Sequence, residues 1–445
     1  MTTTSRTALA ELVNRVKEGI ATPPSAPAVA RAPEPPKVSD YAENALMERL
    51  RGLYRDDSEL RNPYFLPRSG EVSGAMKIDG RDYITFSNYN YLGLSNDERV
   101  KQAVYDAVDR YGSHAGAARM VGGEIELHAE LETELAEFTG FEAATVGVGG
   151  YSANVSAVGY LLDKRDVIFH DAFMHNSGVM GAVMSGARRI AFPHNDMEVL
   201  ESLLKQHRSQ YRRAILLVEG AYSMDGDLVD LPRIIELKRR YGAWLMIDEA
   251  HSCGTVGKTG RGVCEYFGIP TSEVDLIVGT LSKSFASCGG FLAGSNDIIE
   301  LLKHFCPGLL LYSTGISPAN TAAALAALRL TVAEPERVQR LQDNSRLFKS
   351  IAEDAGLDCR TSVPGVPIIP LMIQDEQALS LMSYLVENGV LAHAVMHPVV
   401  PRDAARLRCF ISAEHNEGMI RHAIRLMIAH LDSAAEPSDR TIEIA

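Results

Sequence analysis

The sequence predicts an α/β protein with a mostly parallel central sheet flanked by helices and a small C-terminal α/β domain. Short apolar runs that end in a polar residue recur at Ala214–Glu219, Ala243–Asp248 and Val274–Thr280, which is typical of buried strands. The stretch Leu231–Gly242 lies between the first two runs, has one apolar face and ends in a glycine after basic residues, which indicates a helix. Fully apolar strands that alternate with helices predict a parallel sheet covered on both faces.

The composition excludes several classes of protein. Of the 445 residues, 46% are hydrophobic and 23% are charged, which is ordinary for a globular protein with a large core. The 44 Lys+Arg and 57 Asp+Glu leave a net charge of −13, which argues against a binder of nucleic acid or anionic membranes. Neither a membrane span nor a signal peptide is expected, and six scattered cysteines without a C-x-x-C pair predict reduced thiols and no metal site. We therefore expect a cytoplasmic protein.

Four segments are predicted along the chain. Residues 1–45 form an N-terminal tail, in which an amphipathic pattern at 7–20 precedes a proline-rich stretch at 21–37. This tail fits either an extended disordered segment or a docking helix on a tether. The remaining segments are expected to be an N-terminal arm at 46–85, a large cofactor-binding domain at 86–325 and a small C-terminal domain at 326–445.

The C-terminal part mixes helical and strand patterns. A helix-rich stretch covers 318–356, and short strands are expected near Val366–Ile373 and Leu407–Ser412. Helices are expected near Ala378–Asn388 and Glu417–Leu431. These elements predict a small α/β cap on the larger domain.

Polar segments follow the predicted strands, at the edge where parallel sheets bind ligands. In chain order they are Gly149–Asn154, Glu219–Asp227, Asp248–His251 and Gly279–Gly290. Each alone has an ordinary explanation, because glycine turns, capping aspartates and solvated lysines are common. Together they supply an amine from Lys283, a buried carboxylate from Asp248 and a glycine turn at a helix start. These groups can form a Schiff base, pair with a pyridinium nitrogen and hold a phosphate, so they predict pyridoxal 5'-phosphate as cofactor.

Seven motifs extend this pattern over more than three quarters of the chain. They are FSNYNYLGLS, HDAFMHNS, FPHND, VEGAYSMDGD, IDEAHSCGTVGKTGRG, VGTLSKSFASCGGF and YSTGISPAN. In order and wording, the segment from about Tyr83 to His430 resembles the α-oxoamine synthases, which are pyridoxal-phosphate enzymes of aminotransferase fold type I. The wording VGTLSKSFASCGGF, together with SPANTAAALAALRL, most resembles members associated with polyketide synthases and also serine palmitoyltransferase.

The resemblance implies a role for each candidate residue around the cofactor ring. Lys283 is expected to carry the Schiff base and to act as general base. Asp248 is expected to pair with the ring nitrogen, and His175 to stack on the ring face. His251 and Ser223 are expected to donate hydrogen bonds to the phenolic oxygen.

The resemblance also implies phosphate and substrate ligands. Ser313 and Thr314 match positions that reach the phosphate of the other subunit, which implies a homodimer with shared active sites. Arg408 is expected to bind the carboxylate of the amino acid, and Tyr89 to border the substrate pocket. The phosphate ligands expected within the same subunit are Gly150, Tyr151, Thr280 and Ser282.

The implied reaction is a decarboxylative Claisen-type condensation of a small amino acid with an acyl thioester. It gives an α-amino ketone, CO₂ and a free thiol. An acyl-carrier protein is the favoured acyl donor, with the N-terminal tail as a docking arm, and acyl-coenzyme A is the alternative. A serine palmitoyltransferase-like enzyme, another fold-type-I aminotransferase or aldolase, and a non-catalytic scaffold subunit remain alternatives. Lys283, Asp248 and His251 together argue against the scaffold, and Ser152 at the third glycine position argues against a dinucleotide-binding dehydrogenase.

Two further observations concern the substrate. Tyr89 and Met396 stand where the biotin-pathway synthase of this family has an asparagine and an arginine, so neither a biotin role nor a pimeloyl-type chain is expected. A role in polyketide-type secondary metabolism is expected instead. An acidic carrier protein requires a basic patch on this acidic chain, for which the candidates are Arg188–Arg189, Arg212–Arg213 and Arg239–Arg240. Solvated charge is the other interpretation of each pair.

Overall fold

The structure is a computed structural model that describes residues 66–397 and 399–435. These residues fall within a compact unit that spans Asn62–Ala445. The predicted tail, with its helix at 7–20 and its proline-rich stretch at 21–37, lies outside the described residues. No helix within the described ranges is long and apolar enough to cross a membrane.

Strands and helices alternate along the described part of the chain. The strands are β1 (Arg68–Ser69), β2 (Ala75–Ile78), β3 (Arg81–Thr85), β4 (Ala143–Gly147), β5 (Val167–Asp171), β6 (Arg188–Phe192), β7 (Ala214–Glu219), β8 (Trp244–Asp248), β9 (Leu276–Thr280), β10 (Gly290–Gly294), β11 (Ile368–Met372), β12 (Val390–Leu391), β13 (His393–Val395) and β14 (Arg406–Phe410). The helices are α1 (Glu98–Tyr111), α2 (Glu126–Thr139), α3 (Gly150–Leu161), α4 (Asn176–Ser185), α5 (Met197–His207), α6 (Leu231–Tyr241), α7 (Val263–Phe267), α8 (Asn296–Phe305), α9 (Pro318–Ala333), α10 (Glu336–Asp354), α11 (Asp375–Glu387) and α12 (Glu417–Ala435).

The central sheet has seven strands in the order β4-β10-β9-β8-β7-β5-β6. The neighbours from β9 to β6 are parallel, whereas β10 is antiparallel to both β9 and β4. The predicted, mostly parallel sheet is therefore confirmed. In its register, Glu219 lies beside Asp248, and Asp248 lies beside Val278. The residues that follow β7, β8 and β9 consequently meet at one edge of the sheet.

The apolar strands are buried on both faces, as their sequences predict. On β7, Leu216 and Val218 belong to one core cluster, while Ile215 and Leu217 belong to another. Side chains alternate between the faces of a strand, so the two clusters lie on opposite sides of the sheet. This burial fixes the register of the strands and thereby the position of the residues at their ends.

The predicted helix after β7 has the expected signals at both ends. The Asp230 side chain accepts a hydrogen bond from the backbone of Arg233 at 3.2 Å, and Pro232 stands in the first turn. Gly242 ends the helix in the left-handed region at φ 60°. The strands predicted from Ala243 and Val274 begin one and two residues later, and the second follows a short 3₁₀ turn at Thr271–Glu273.

The C-terminal part has its own sheet and core. The antiparallel sheet β11-β14-β13 packs with α11 and α12 around a separate apolar cluster, which confirms the elements predicted there. A further sheet, β1-β2-β3-β12, joins residues 68–85 to this part, because β12 pairs in parallel with β3. Arg408 stands at the middle of β14, opposite Pro370 and His393. The boundaries proposed at residues 46, 86 and 326 stay predictions.

Candidate active site

Lys283 lies three residues beyond the end of β9 on a tight turn. The backbone N–H of Leu281 donates to the carbonyl of Gly289 at 2.9 Å and closes the turn. The Nζ atom of Lys283 lies 5.4 Å from the centre of the Tyr89 ring. Burial lowers the pKa of Lys283 to about 8, although the negative charges of Asp248 and Glu219 oppose the shift. A lysine with this pKa is partly neutral near pH 8 and can act as nucleophile or base.

Asp248 is a buried carboxylate, 7% exposed, at the carboxyl end of β8. Its Oδ2 accepts a hydrogen bond from Asn154 Nδ2 at 2.9 Å, and its Oδ1 accepts one from the backbone of Ala250 at 3.0 Å. Burial raises its pKa, and the nearby Lys283 ammonium opposes that shift. Within the described residues no lysine or arginine forms a salt bridge with this carboxylate, so a cationic ligand would stabilise its charged form.

A second carboxylate, Glu219, lies beside Asp248 at the end of β7. Its Oε2 accepts a hydrogen bond from the backbone of Ser223 at 3.1 Å, while Oε1 is buried without a hydrogen-bond partner in the described part of the chain. Burial and then the charge of Asp248 raise the pKa of Glu219. No role was predicted for Glu219 from the sequence, although this residue opens one of the polar segments that follow strands.

His251 lies three residues after Asp248 and is 6% exposed. Its Nδ1 lies 2.9 Å from the hydroxyl of Tyr91, and its ring is parallel to that of Phe410, with an interplanar angle of 9° and 6.2 Å between centres. Burial lowers the pKa of His251 well below its usual range, and the positive charges of Lys283 and Arg408 act in the same direction. The imidazole is therefore neutral at physiological pH.

A cradle for an anion forms where α3 meets the Lys283 turn. Helix α3 begins at Gly150, so the backbone N–H groups of its first turn, Tyr151 included, have no partner within the helix. A Cβ atom on Gly150 would lie 3.1 Å from the Cβ of Thr280, and one on Gly290 would lie 2.4 Å from the Gly150 nitrogen. The Ser282 N–H donates to Thr280 Oγ1 at 3.2 Å. Only glycines permit this approach of helix and turn.

Arg408 and His175 approach the same edge from other elements. Arg408 Nη1 donates to the carbonyl of Ser223 at 3.2 Å, and its guanidinium carbon lies 4.6 Å from the centre of the Phe410 ring. The small sheet thus contributes a cation to the site. His175 caps α4 by accepting a hydrogen bond at Nδ1 from the Ser177 N–H at 3.2 Å.

The family model described as aminotransferase class I and II matches residues 81–426. The chain belongs to this family. Within it, the chain is a pyridoxal-phosphate-dependent α-oxoamine synthase, as its motifs predicted. The class condenses an amino acid with an acyl thioester and removes the carboxyl group.

Relatives of this aminotransferase-family chain include two bacterial 8-amino-7-oxononanoate synthases. The protein from Symbiobacterium thermophilum is 39% identical over 374 residues, which are 84% of this chain and 92% of that protein. The protein from Geobacter sulfurreducens is 39% identical over 383 residues, which are 85% of this chain and 94% of that protein. A solved structure of serine palmitoyltransferase from Sphingomonas wittichii superposes with a TM-score of 0.84 at 29% identity, covering 89% of this chain and 99% of that one.

These relatives bear differently on two sequence expectations. The family, fold type and cofactor are confirmed. The expected polyketide-type secondary metabolism finds no support in them, because the curated relatives carry the name of 8-amino-7-oxononanoate synthase. The segment VGTLSKSFASCGGF surrounds Lys283, whose chemistry is common to the family. Its sequence therefore does not distinguish a polyketide-associated enzyme from a biotin-pathway enzyme.

The donor set at the sheet edge fits pyridoxal 5'-phosphate. The Asp248 carboxylate, buried without an ion pair among the described residues, matches a protonated ring nitrogen. The close approach of Gly150 and Thr280 exposes backbone N–H groups at a helix start, which matches a phosphate. Lys283, three residues beyond the end of β9, supplies the amine.

Ser313 and Thr314 lie on the loop that leads into α9. Thr314 forms an isolated bridge with Ala118, and the Gly315 N–H donates to the Ala117 carbonyl at 3.1 Å. Within the described part of the chain, neither Ser313 nor Thr314 forms a hydrogen bond with Lys283, Asp248 or His251. Their expected role concerns a second subunit and stays a prediction.

His194, for which no role was predicted from the sequence, connects the segments at the ends of β5, β6 and β7. Its Nδ1 lies 3.0 Å from Asp171 Oδ1 and its Nε2 lies 2.9 Å from Asp227 Oδ2. Burial alone would lower its pKa, but hydrogen bonds and charges of the two carboxylates raise the pKa to about 10. Asp171 precedes His175 by four residues, and Asp227 follows Ser223 by four. The motif FPHND drew attention to His194, but its partners Asp171 and Asp227 lie 23 and 33 residues away in sequence, so the contacts could not be predicted.

Proposed function

We propose that the Lys283 site joins a small amino acid to an acyl thioester with loss of CO₂ and yields an α-amino ketone. The observation that carries this proposal is the convergence of Lys283, Asp248, His251 and Arg408 at one sheet edge, next to the cradle at Gly150. These residues supply a base, a buried carboxylate, a neutral imidazole and a guanidinium for the proposed reaction.

The chain's own residues divide the work of binding the cofactor. Pyridoxal 5'-phosphate, when bound, supplies an electron sink for the bonds broken at the amino acid's Cα atom. Asp248 is proposed to hold the ring nitrogen in its protonated form, and His251 with Ser223 to bind the phenolic oxygen. His175 is proposed to cover the ring face. The phosphate is assigned to the N–H groups of Gly150 and Tyr151 and to the hydroxyls of Thr280 and Ser282, with Ser313 and Thr314 of a second subunit.

Lys283 is proposed to move the Cα proton. Its pKa of about 8 leaves a useful fraction of the amine neutral near that pH, so Nζ can accept the proton. Once Cα bonds to the acyl carbonyl carbon, the C–S bond breaks and the thiol leaves. The bond from Cα to its carboxylate then breaks to release CO₂, and a proton returned to Cα completes the product.

Arg408 is proposed to orient the amino acid. Its planar guanidinium suits a carboxylate in two-point contact, and Phe410 beneath it limits its movement. The aromatic side chains of Tyr89, Tyr91 and Phe410 contact one another beside Lys283, with Tyr89 and Phe410 centres 4.8 Å apart. This crowded wall favours glycine, alanine or serine over larger amino acids.

Two acyl donors are considered, an acyl-carrier protein and acyl-coenzyme A. Arg212 is paired with Asp163 and Asp166, and Arg239 with Glu273, so these arginines are already neutralised. Arg188 and Arg189 are exposed, but they begin β6 and therefore stand at the edge opposite the Lys283 site. Arg240 likewise pairs with Glu201 and Glu236, and Arg213 lies over the Trp244 ring directly before β7, at the edge opposite the Lys283 site. No basic pair thus supports docking of an acidic carrier next to the site, and the two donors must be compared directly.

A second candidate is the reaction for which the curated relatives are named. An 8-amino-7-oxononanoate has a methyl-bearing amino carbon next to a ketone, so its formation by this chemistry needs alanine and a seven-carbon dicarboxylic acyl group. The 39% identity to such relatives favours it. Tyr89 and Met396 argue against this reaction, because neither side chain supplies a cation for the second carboxylate of the dicarboxylic acyl group.

We also propose a cytoplasmic homodimer. All six cysteines of the sequence lie in described residues and are free, which suits a reducing compartment. Large apolar side chains are exposed on α4 and near Ser313, among them Met180, Met184 and Tyr312. Exposed apolar surface of this kind is usually covered by a partner. Sedimentation at micromolar concentration is expected to give twice the chain mass.

The test is mass spectrometry of products from purified protein loaded with pyridoxal 5'-phosphate. Glycine, alanine and serine are each combined with acyl-coenzyme A and acyl-carrier substrates, including a pimeloyl thioester. We expect one α-amino ketone that depends on both substrates, is lost in Lys283→Ala and is retained in the exposed-lysine control Lys258→Ala. Transamination or retro-aldol products in its place would overturn the proposal.

A further inference from the structure

Tyr91 is a fully buried tyrosine, 0% exposed, with its hydroxyl in the active-site wall. The hydroxyl lies 2.9 Å from Nδ1 of His251. In the described part of the chain it has no other hydrogen-bond partner. The backbone carbonyl of Tyr91 accepts a hydrogen bond from the Ala413 N–H at 2.7 Å, so the residue is held in place independently of its hydroxyl.

The hydrogen-bonding capacity of the two groups decides which atom donates. A buried O–H that finds no acceptor is destabilising, because it gives up its hydrogen bond to water without replacing it. His251 Nδ1 is the acceptor available to Tyr91 within the described residues. A neutral imidazole has one N–H and one nitrogen lone pair. If Nδ1 uses its lone pair to accept from Tyr91, the proton of His251 must be on Nε2.

Burial first, and then the positive charges around it, lower the pKa of His251 and keep the imidazole neutral. The positive groups that act on it are Lys283, Arg408 and His175, and all three disfavour a second proton. Burial likewise raises the pKa of Tyr91 well above its usual range, so the hydroxyl stays protonated and able to donate. His251 Nε2 has no partner among the described residues.

We infer that Tyr91 is a positioning residue that fixes His251 as the Nε2–H tautomer, so that the imidazole presents a hydrogen-bond donor to the active site. The inference rests on the proposed Lys283 site and deepens it. The phenolic oxygen of the cofactor is an acceptor when ionised, and a donor at Nε2 stabilises that form. The opposite tautomer would present a lone pair and favour the protonated phenol. The Phe410 ring lies parallel to the imidazole, with 6.2 Å between the ring centres.

The direct test reads the tautomer in the apoprotein, without turnover. Histidine labelled with ¹⁵N is incorporated, and long-range ¹H–¹⁵N correlation spectra are recorded, with His251→Gln used to assign the signals. We expect wild-type His251 to show a protonated Nε2 and an unprotonated Nδ1 that accepts a hydrogen bond. Tyr91→Phe keeps the ring and the backbone contact, and should shift the Nδ1 resonance and populate both tautomers.

A matched control and a second readout separate positioning from folding. Tyr83→Phe removes the hydroxyl from another buried tyrosine, 1% exposed, in β3, and should leave the His251 signals unchanged. In protein loaded with the cofactor, Tyr91→Phe should raise the pH midpoint of the lysine-bound cofactor's absorbance by about 0.3 unit, the twofold effect of two equally populated His251 tautomers of which one presents the donor.

Two results would overturn the inference. One is a protonated Nδ1 in the wild-type apoprotein. The other is a Tyr91→Phe protein whose His251 signals and absorbance midpoint equal those of the wild type. Both measurements are independent of product formation, so they can fail while the proposed reaction is confirmed. Conversely, a missing α-amino ketone would leave the tautomer result intact.

Discussion

His194 and His251 lie near the same edge of the central sheet, but His194 is cationic and His251 is neutral. His194 lies between the carboxylates of Asp171 and Asp227, and its pKa is raised to about 10. His251 faces a phenol and an aromatic ring, and burial lowers its pKa well below the usual range. Burial disfavours the cation in both cases, so neighbouring groups decide the outcome.

The difference separates a structural task from a chemical one. A cationic His194 joins the ends of β5 and β7 through Asp171 and Asp227, and these segments lead to His175 and Ser223. A neutral His251 keeps one N–H and one lone pair, which allows it to act as a defined donor. Removing the charge of His194 should therefore lower the stability of the fold, whereas removing the donor of His251 should lower the affinity for the cofactor.

The largest expected effect comes from breaking the charged cluster. His194→Ala leaves Asp171 and Asp227 without their cation, and removal of one member of a buried charged group costs about 3–5 kcal/mol. We expect the free energy of unfolding of the apoprotein in urea to fall by this amount. His304→Ala, which removes an exposed histidine from α8, is the control and should change it far less. Equal losses in the two variants would show that His194 contributes no special stability.

The pH dependence of stability sharpens the same comparison. The folded-state pKa of His194, about 10, is raised above the ordinary value of 6.5. Its contribution is therefore fully present below pH 6.5 and is lost as pH rises through 10. We expect the stability gap between wild type and His194→Gln to shrink by about 4 kcal/mol between pH 6.5 and 10. Urea unfolding across that range measures the gap, and a constant gap contradicts a cationic His194.

The counterpart of these experiments removes the neutral imidazole. His251→Phe retains an aromatic ring next to Phe410 but lacks the donor to the phenolic oxygen. A hydrogen bond to a charged group contributes about 1.5–3 kcal/mol, so affinity for pyridoxal 5'-phosphate should fall about 10- to 100-fold. Fluorescence titration of the apoprotein with the cofactor measures this. The comparison fails if His251→Phe binds normally, or if His194→Gln weakens binding as strongly.

The smallest effect is expected where a carboxylate contacts an exposed histidine. His304 Nδ1 lies 3.4 Å from Glu300 Oε2, and both side chains are more than half exposed. Solvent screens such pairs, so Glu300→Gln should change the free energy of unfolding by less than about 0.5 kcal/mol. Thermal or urea unfolding at low salt gives the value. A loss approaching that of His194→Ala would mean that desolvation is not what makes the Asp171 and Asp227 contacts strong.

Local sequence patterns predicted the position of His251 in the site, but they predicted neither the carboxylate contacts of His194 nor the Tyr91 contact of His251. The apolar strands and the polar residues after them are encoded in contiguous sequence, so Lys283, Asp248 and His251 could be placed at one edge. The Tyr91 contact to His251 spans 160 residues, and His194 meets Asp227 across 33. Such pairings depend on which loops the strand order brings together, and local sequence does not encode that order. The parallel pairing of β12 with β3 escaped prediction for the same reason.

The proposed condensation is tested most directly by the stoichiometry of CO₂ and thiol. The loaded protein is given an amino acid labelled in its carboxyl carbon together with an acyl thioester, and labelled CO₂ and free thiol are counted in the same reaction. We predict one CO₂ for each thiol, with neither formed when a substrate is omitted or Lys283 is replaced by alanine. CO₂ release without the thioester, or thiol release without CO₂, would contradict the proposed condensation.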